Sequence, residues 1–244
     1  MSILQRVFAP KCLIIGSVLF GLAFIGTGLQ HFIYLQFVST LVPAYMPVKI
    51  LWAGLTGVAM ILAGVSFLSR RQTTLTAALL SLMMLGFILM IHIPKLTAAP
   101  HDINNWIRAM QDLAILGTAM MLTSAKWLTK AGIFLYALPL ILLGTAHFIH
   151  PALITPKIPT YLPGASVIDY MVGAAMVGLG FCILARRYAQ ICALALGVLL
   201  LVFALLYSVP TLAGNIKNGG EWTTLLLAVA VASGGFVGAG KVNK

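Results

Sequence analysis

Two histidines in this chain introduce the same run of residues. His31-Phe32 leads to Val42-Pro43-Ala44-Tyr45-Met46-Pro47, and His147-Phe148 leads to Ile158-Pro159-Thr160-Tyr161-Leu162-Pro163. A histidine can ligate a metal or haem, or pass a proton near neutral pH. A metal also needs several ligands that converge. His150 follows His147, but Tyr34 holds the matching place after His31, so the repeat preserves no second ligand. No metal site is read from this pattern. A hydrogen bond at a helix end is the expected role of His31 and His147. The segments that carry Tyr45 and Tyr161 are expected to be structural caps that fold back over the bundle end and position the next helix. The other reading is a lid over an outward-facing pocket, with the histidine pointing into it.

The acids are few: Asp102, Asp112, Asp169 and Glu221. Asp112 falls inside an apolar helix, about 9 Å from its end at 1.5 Å per residue. A carboxylate at that depth in lipid is costly and by default marks function. Arg108 lies four residues earlier on the same helix face, so an Arg108–Asp112 pair that locks helices together is one expectation. A proton-handling or polar-ligand site facing the bundle interior is the other. His92 and Asp102 bracket the preceding loop, IHIPKLTAAPHDINNW, in which Pro94 is expected to end its helix. Asp169 is expected near the outer surface, where water can solvate it.

These residues need a frame, and composition says what kind. The chain has 244 residues, 61% of them hydrophobic and 8% charged. A water-soluble domain carries about 25% charged residues. Several apolar runs approach the length of about 20 residues that crosses a bilayer core. They are continuous rather than alternating, which excludes a β-barrel pattern. The expected spans are Cys12–Gln30, Ile50–Leu68, Thr73–Ile93, Trp106–Leu122, Ala131–Ala146, Ser166–Leu184, Tyr188–Val209 and Trp222–Val237. The first is expected to be a retained helix, because no small-residue cleavage site follows it.

The second four spans repeat the first four at an offset of 116 residues. Gly28, His31, Phe32, Pro43, Tyr45 and Pro47 fall on Gly144, His147, Phe148, Pro159, Tyr161 and Pro163. Gly57, Gly64, Arg70, Arg71, Pro94 and Trp106 fall on Gly173, Gly180, Arg186, Arg187, Pro210 and Trp222. A feature set carried through a whole unit at one offset is a repeat signal. An even number of spans per unit makes the repeat parallel, not inverted. His92, Asp102 and Asp112 become Ser208, Asn218 and Ala228, so chemistry is expected where the copies differ.

The net charge of +11 reads as a topology signal and not as a nucleic-acid surface, since no basic run with interleaved aromatics occurs. One side collects Arg6, Lys11, Arg70, Arg71, Lys126, Lys130, Arg186, Arg187, Lys241 and Lys244. The other has Lys49, Lys95, Arg108, Lys157 and Lys217. The positive-inside rule then places both termini in the cytoplasm. Cys12, Cys182 and Cys192 fall near that reducing side, where structural disulfides are not expected. The glycines read as helix-packing positions, and Gly234 and Gly238 form a GxxxG.

Each half resembles the DoxX-like family of four-helix bacterial membrane proteins. The likeness rests on His31-Phe32, Val42 to Pro47, Arg70-Arg71, His92-x-Pro94, Pro100, Asp102 and Trp106, and on their counterparts from His147 to Pro210. It implies two tandem units, residues 1–125 and 126–244, in the bacterial inner membrane. It also implies a link to redox systems, since some members resemble a subunit of a thiosulfate:quinone oxidoreductase. Related families carry Arg-x-Pro-x-Gln on the fourth helix. Arg108-Ala-Met-Gln-Asp112 keeps the arginine, loses the proline and has Asp at the glutamine position, so no catalytic residue is carried over.

The expected architecture is therefore an all-α polytopic membrane protein of eight transmembrane helices, arranged as two parallel-repeat four-helix bundles. The leading functional expectation is a redox component that holds a quinone non-covalently in an apolar slot near the outer face. Its candidate ligand-binding residues are His31, Tyr45, His92, Arg108, Asp112, His147 and Tyr161. Electrons would come from a redox partner subunit. The alternatives are a binder or transporter of a small apolar or sulfur-containing molecule, and a structural subunit without chemistry. The bilayer is the expected surrounding, and a homo-oligomer is a candidate assembly.

Overall fold

The computed structural model describes residues 3–242, with side chains from residue 8 onward. Lys244 and the side chain of Arg6 lie outside the described residues. The described chain is helical throughout, without strands. The first half runs α1 (Ile3–Ile33), α2 (Leu35–Ser39), α3 (Lys49–Ser69), α4 (Thr73–Phe87), a π-helical turn (Ile88–His92), α5 (Ile93–Ala98) and α6 (Ile103–Leu122). The second runs α7 (Lys126–Ile149), α8 (Pro151–Ile154), a 3-10 turn (Thr155–Lys157), α9 (Ala165–Leu184), α10 (Ala189–Phe203), a π turn (Ala204–Ser208), α11 (Val209–Gly214) and α12 (Gly219–Lys241).

Seven of the helical rods are long and apolar enough to cross a membrane. The seven do not include α6, although it spans 20 residues. Its first half carries Asn104, Asn105, Arg108, Gln111 and Asp112, which lower its hydropathy. Its second half is apolar and buried from Ala114 to Ala119. It packs against α4, α7 and α12.

Pro94 and Pro210 do not end their helices. Helix continues from Thr73 to Ala98 and from Ala189 to Gly214. A proline inside a helix lacks an N–H, and its ring clashes with the carbonyl four residues back. Here a π turn precedes each proline and widens the helix where the clash would fall. The two turns, Ile88–His92 and Ala204–Ser208, stand 116 residues apart, the offset of the sequence repeat. Smaller features keep that offset too. Trp106 Nε1 donates to the Pro100 carbonyl, and Trp222 Nε1 to the Ile216 carbonyl, both at 2.8 Å. Asp102 and Asn218 cap α6 and α12 by accepting from backbone N–H groups two residues on.

The packing order forms a closed circuit: α1, α3, α4, α6, α7, α9, α10, α12 and back to α1. A central contact between α6 and α12 divides it into two compartments. The first helix of each half therefore leans on the fourth helix of the other half. Close approach is achieved by small residues. On α12, every residue from Ala230 to Gly240 is buried, including Gly234 and Gly238. A Cβ on Gly234 would meet the Tyr136 ring, so this GxxxG packs inside the chain.

One glycine contact bears on the histidines. A Cβ on Gly57 of α3 would stand 2.8 Å from the His31 Cβ, and one on Gly28 of α1 would stand 2.7 Å from the Gly57 carbonyl oxygen. Gly57 thus lets α3 press against α1 at the histidine. Gly173 does the same for His147, where the corresponding distance is 2.6 Å.

Candidate functional site

The first compartment contains a cavity of about 680 Å³, walled by α1, α3, α4, α6 and α12. It runs down α1 from Tyr34 to Ala23, about 16 Å at 1.5 Å per residue. Its lower walls are apolar, among them Phe24, Met60, Met84, Phe87, Ile115 and Leu227. Below them Phe20 and Phe67 are both fully buried, with ring centroids 5.6 Å apart. The upper end is covered by the segment after His31, through Phe37, Val38, Leu41 and Val42.

The polar groups gather in the upper half. His92 sits on the π turn and Asp112 on α6. His92 Nε2 donates to Asp112 Oδ2 at 2.7 Å. The π turn displaces the helix face at His92, which suits a local departure from α geometry at a polar site. His31 closes α1, and its Nδ1 donates to the Thr27 carbonyl at 2.8 Å. A carbonyl only accepts, so Nδ1 carries the proton, and in the neutral ring Nε2 is an acceptor. Gln30 Nε2 donates to the Gly219 carbonyl at 2.9 Å, and Thr223 lies 3.3 Å from the same nitrogen. These bonds tie α1 to the start of α12.

The expected Arg108–Asp112 pair does not form. Asp112 turns to His92, and Arg108 Nη1 donates to Gln111 Oε1 at 3.3 Å. Arg108 and Lys95 both line the cavity. Among the described residues Asp112 is the only acid on its lining, and it is already paired. The upper cavity therefore carries an excess of positive charge.

His31, His92, Arg108 and Asp112 are brought together on this one cavity. Tyr45, His147 and Tyr161 are not on it. Tyr45 is 70% exposed. Tyr161 donates from its hydroxyl to the Leu206 carbonyl at 2.6 Å. His147 faces the second compartment, where its Nδ1 donates to Asp169 Oδ1 at 2.5 Å. Asp169 is fully buried and not solvated, and Thr155 donates to its other oxygen. The helix-end hydrogen bond expected for both histidines is present, to a carbonyl in one copy and to a carboxylate in the other. Asp102 acts as a helix cap and does not line the cavity.

Several lining residues were missed by sequence reasoning: Thr27, Gln30, Thr56, Lys95, Asn105 and Thr223. A signal was present for the first three. At the repeat offset they become Leu143, Ala146 and Val172, all apolar. Thr223 and Asn218 come from the second half, and only the helix packing brings them to a first-half cavity.

Among the described residues no three His, Cys, Asp or Glu side chains converge as a metal site would need. The arrangement is an apolar slot with a histidine–carboxylate pair, a second histidine acceptor and, at one end, two cations that have no acidic partner among the described residues. Such a slot can hold an amphiphilic molecule by its body and exchange a proton with its head. No protein-family description, no curated protein and no solved structure matches this chain.

Proposed function

We propose that this chain is an integral membrane protein of eight crossings, built from two parallel DoxX-like units, whose first unit binds a small lipid-soluble molecule. A quinone is the chemistry that fits best. The observation that carries the reading is the cavity under α2, with the His92–Asp112 pair and His31 on its walls. Its volume of about 680 Å³ falls within the range of about 300–1,000 Å³ usual for ligand pockets. Its apolar lower walls suit a ring and the start of a tail. Its upper groups suit two oxygens: Arg108 and Lys95 as donors to a carbonyl, His31 Nε2 as an acceptor from a hydroxyl.

In this reading α6 is the eighth crossing, sheltered from lipid by α4, α7 and α12. Both termini lie on the basic, cytoplasmic side of a bacterial inner membrane, and the cavity opens toward the outer face. The chain holds the quinone, and electrons arrive from a partner subunit. The packing of the fully buried Phe20 and Phe67 rings against each other, off the cavity's lining, favours a binding site over a continuous transport path.

The test is titration of decylubiquinone and its quinol into the purified chain in lipid nanodiscs. Binding is expected, and Asp112→Asn, His92→Gln and His31→Gln are each expected to weaken it about tenfold, as loss of one hydrogen-bonding partner does. Unchanged binding in all three variants removes the site assignment. No binding of either form removes the quinone reading.

A further inference from the structure

The segments that follow the two histidines are built alike and fastened differently. In the second half, residues 150–163 form a cover held at three points. Thr155 Oγ1 donates to Asp169 Oδ2, and His147 grips the other oxygen of the same buried carboxylate. Ile158 is inserted in the core, with 4% of its surface exposed. Tyr161 is tied to the Leu206 carbonyl. The chain turns into α9 at Gly164, whose φ of 73° suits a glycine.

At the repeat offset, every one of these fastenings is missing from the first half. Ser39 stands where Thr155 does, and it donates only to the Gln36 carbonyl within its own turn. Ala53 stands where Asp169 does and offers no acceptor on its side chain. Val42 replaces Ile158 and is only partly buried. Tyr45 replaces Tyr161, and no described residue accepts from its hydroxyl. Val48 replaces Gly164 and is held at φ 48°, a strained conformation for a β-branched residue. What remains is the packing of α2 on α3, with Ser39 buried, and, at the start of the segment, the bond from the Tyr34 hydroxyl to the Lys217 carbonyl at 3.1 Å.

We infer that residues 35–48 are a lid that opens over the cavity, hinged at Tyr34 and Val48, whereas residues 150–163 are a fixed cap. The lid is where the ligand site is: Phe37, Val38, Leu41 and Val42 line the cavity. Away from the cavity the lid carries the exposed side chains of Tyr45 and Val48, so a molecule dissolved in the bilayer meets an apolar surface there. Among the described residues, opening breaks no buried side-chain hydrogen bond from the segment to another element. In the second half the same motion would strip Asp169 of a partner in a buried site, which is costly. The lid's role as the ligand's door rests on the proposed function; its motion does not.

The test is amide hydrogen exchange, read by mass spectrometry, on the full chain in phosphatidylcholine nanodiscs. Residues 35–42 are expected to exchange at least about tenfold faster than residues 151–158, the difference a lost fastening makes to local opening. Ala53→Asp combined with Ser39→Thr moves the second half's latch into the first, beside His31. It is expected to slow exchange of residues 35–42 about tenfold and to slow decylubiquinone association. Asp169→Ala is expected to speed exchange of residues 151–158 toward the rate of the lid. Equal protection of the two segments in the unaltered chain overturns the inference, and so does a folded transplant that leaves lid exchange unchanged. If the transplant fails to fold, the unaltered chain and Asp169→Ala decide the matter on their own. If decylubiquinone does not bind while the exchange pattern holds, the lid stands and the quinone reading falls.

Discussion

His92 and Asp112, twenty residues apart, meet through one 2.7 Å hydrogen bond between the π turn after α4 and the middle of α6. The pair spans two helices at the wall of a cavity, so it both fixes their relative position and presents a proton-bearing group to whatever enters. Neither residue has an ionisable counterpart in the second half, where Ser208 and Ala228 stand. The fold itself can therefore be built without the pair.

Each partner is mostly buried, with side-chain exposures of 12% and 18%. Removing one leaves the other without its bond. His92→Ala and Asp112→Ala are each expected to cost about 1–3 kcal/mol of stability. The double variant should lose less than the sum of the two, because the second truncation removes a group already orphaned. Thermal unfolding of the four proteins in one detergent measures this coupling. Strict additivity would contradict the pair.

Arg108 is exposed and makes a single long bond to Gln111. Arg108→Ala is expected to change stability by less than about 0.5 kcal/mol while weakening the ligand interaction. The same melting series provides the check. A loss as large as that of Asp112→Ala would restore the intrahelical Arg108–Asp112 pair that spacing suggests.

Much of the frame was legible in the sequence. Apolar run length marked the helices, and the 116-residue offset marked corresponding features down to the tryptophan bonds and the π turns' prolines. The candidates His31, His92, Arg108 and Asp112 reach one cavity; His92 and Asp112 were marked by the difference between the copies, and His31 by its repeated place at a helix end. The pairing of Asp112 was not legible. Helix spacing reports neighbours on one helix, whereas His92 comes from another, turned by a π bulge no local pattern announces. Asp169 was misjudged for the same reason: its two partners lie on α7 and in the 3-10 turn. The contribution of α12 to a first-half cavity depends on how the helices close their circuit, and that is a tertiary fact.

The histidine positions depend on two glycine contacts, and these are separable from helix propensity. A Cβ on Gly57 would sit 2.8 Å from the His31 Cβ, whereas one on Gly54 meets nothing within 4 Å. Gly57→Ala is expected to push α1 and α3 apart and cost about 1–3 kcal/mol. Gly54→Ala, on the same helix, is expected to be neutral or to stabilise by up to about 1 kcal/mol. Unfolding midpoints of the two variants distinguish a packing glycine from a merely tolerated one.

The largest single loss is expected at Asp169. Its carboxylate is fully buried and receives hydrogen bonds from His147 and Thr155. Removing it leaves two buried donors without an acceptor, each costing about 1–3 kcal/mol. Asp169→Ala should therefore destabilise the chain more than Asp112→Ala, whose partner can still reach the cavity. Asp169→Asn keeps one oxygen as an acceptor and should fall between Asp169→Ala and the unaltered chain. Unfolding in detergent ranks the three variants. If Asp112→Ala proves the more damaging, then the cavity pair and not the buried one is the structural bond, and the division of labour between the two halves must be reversed.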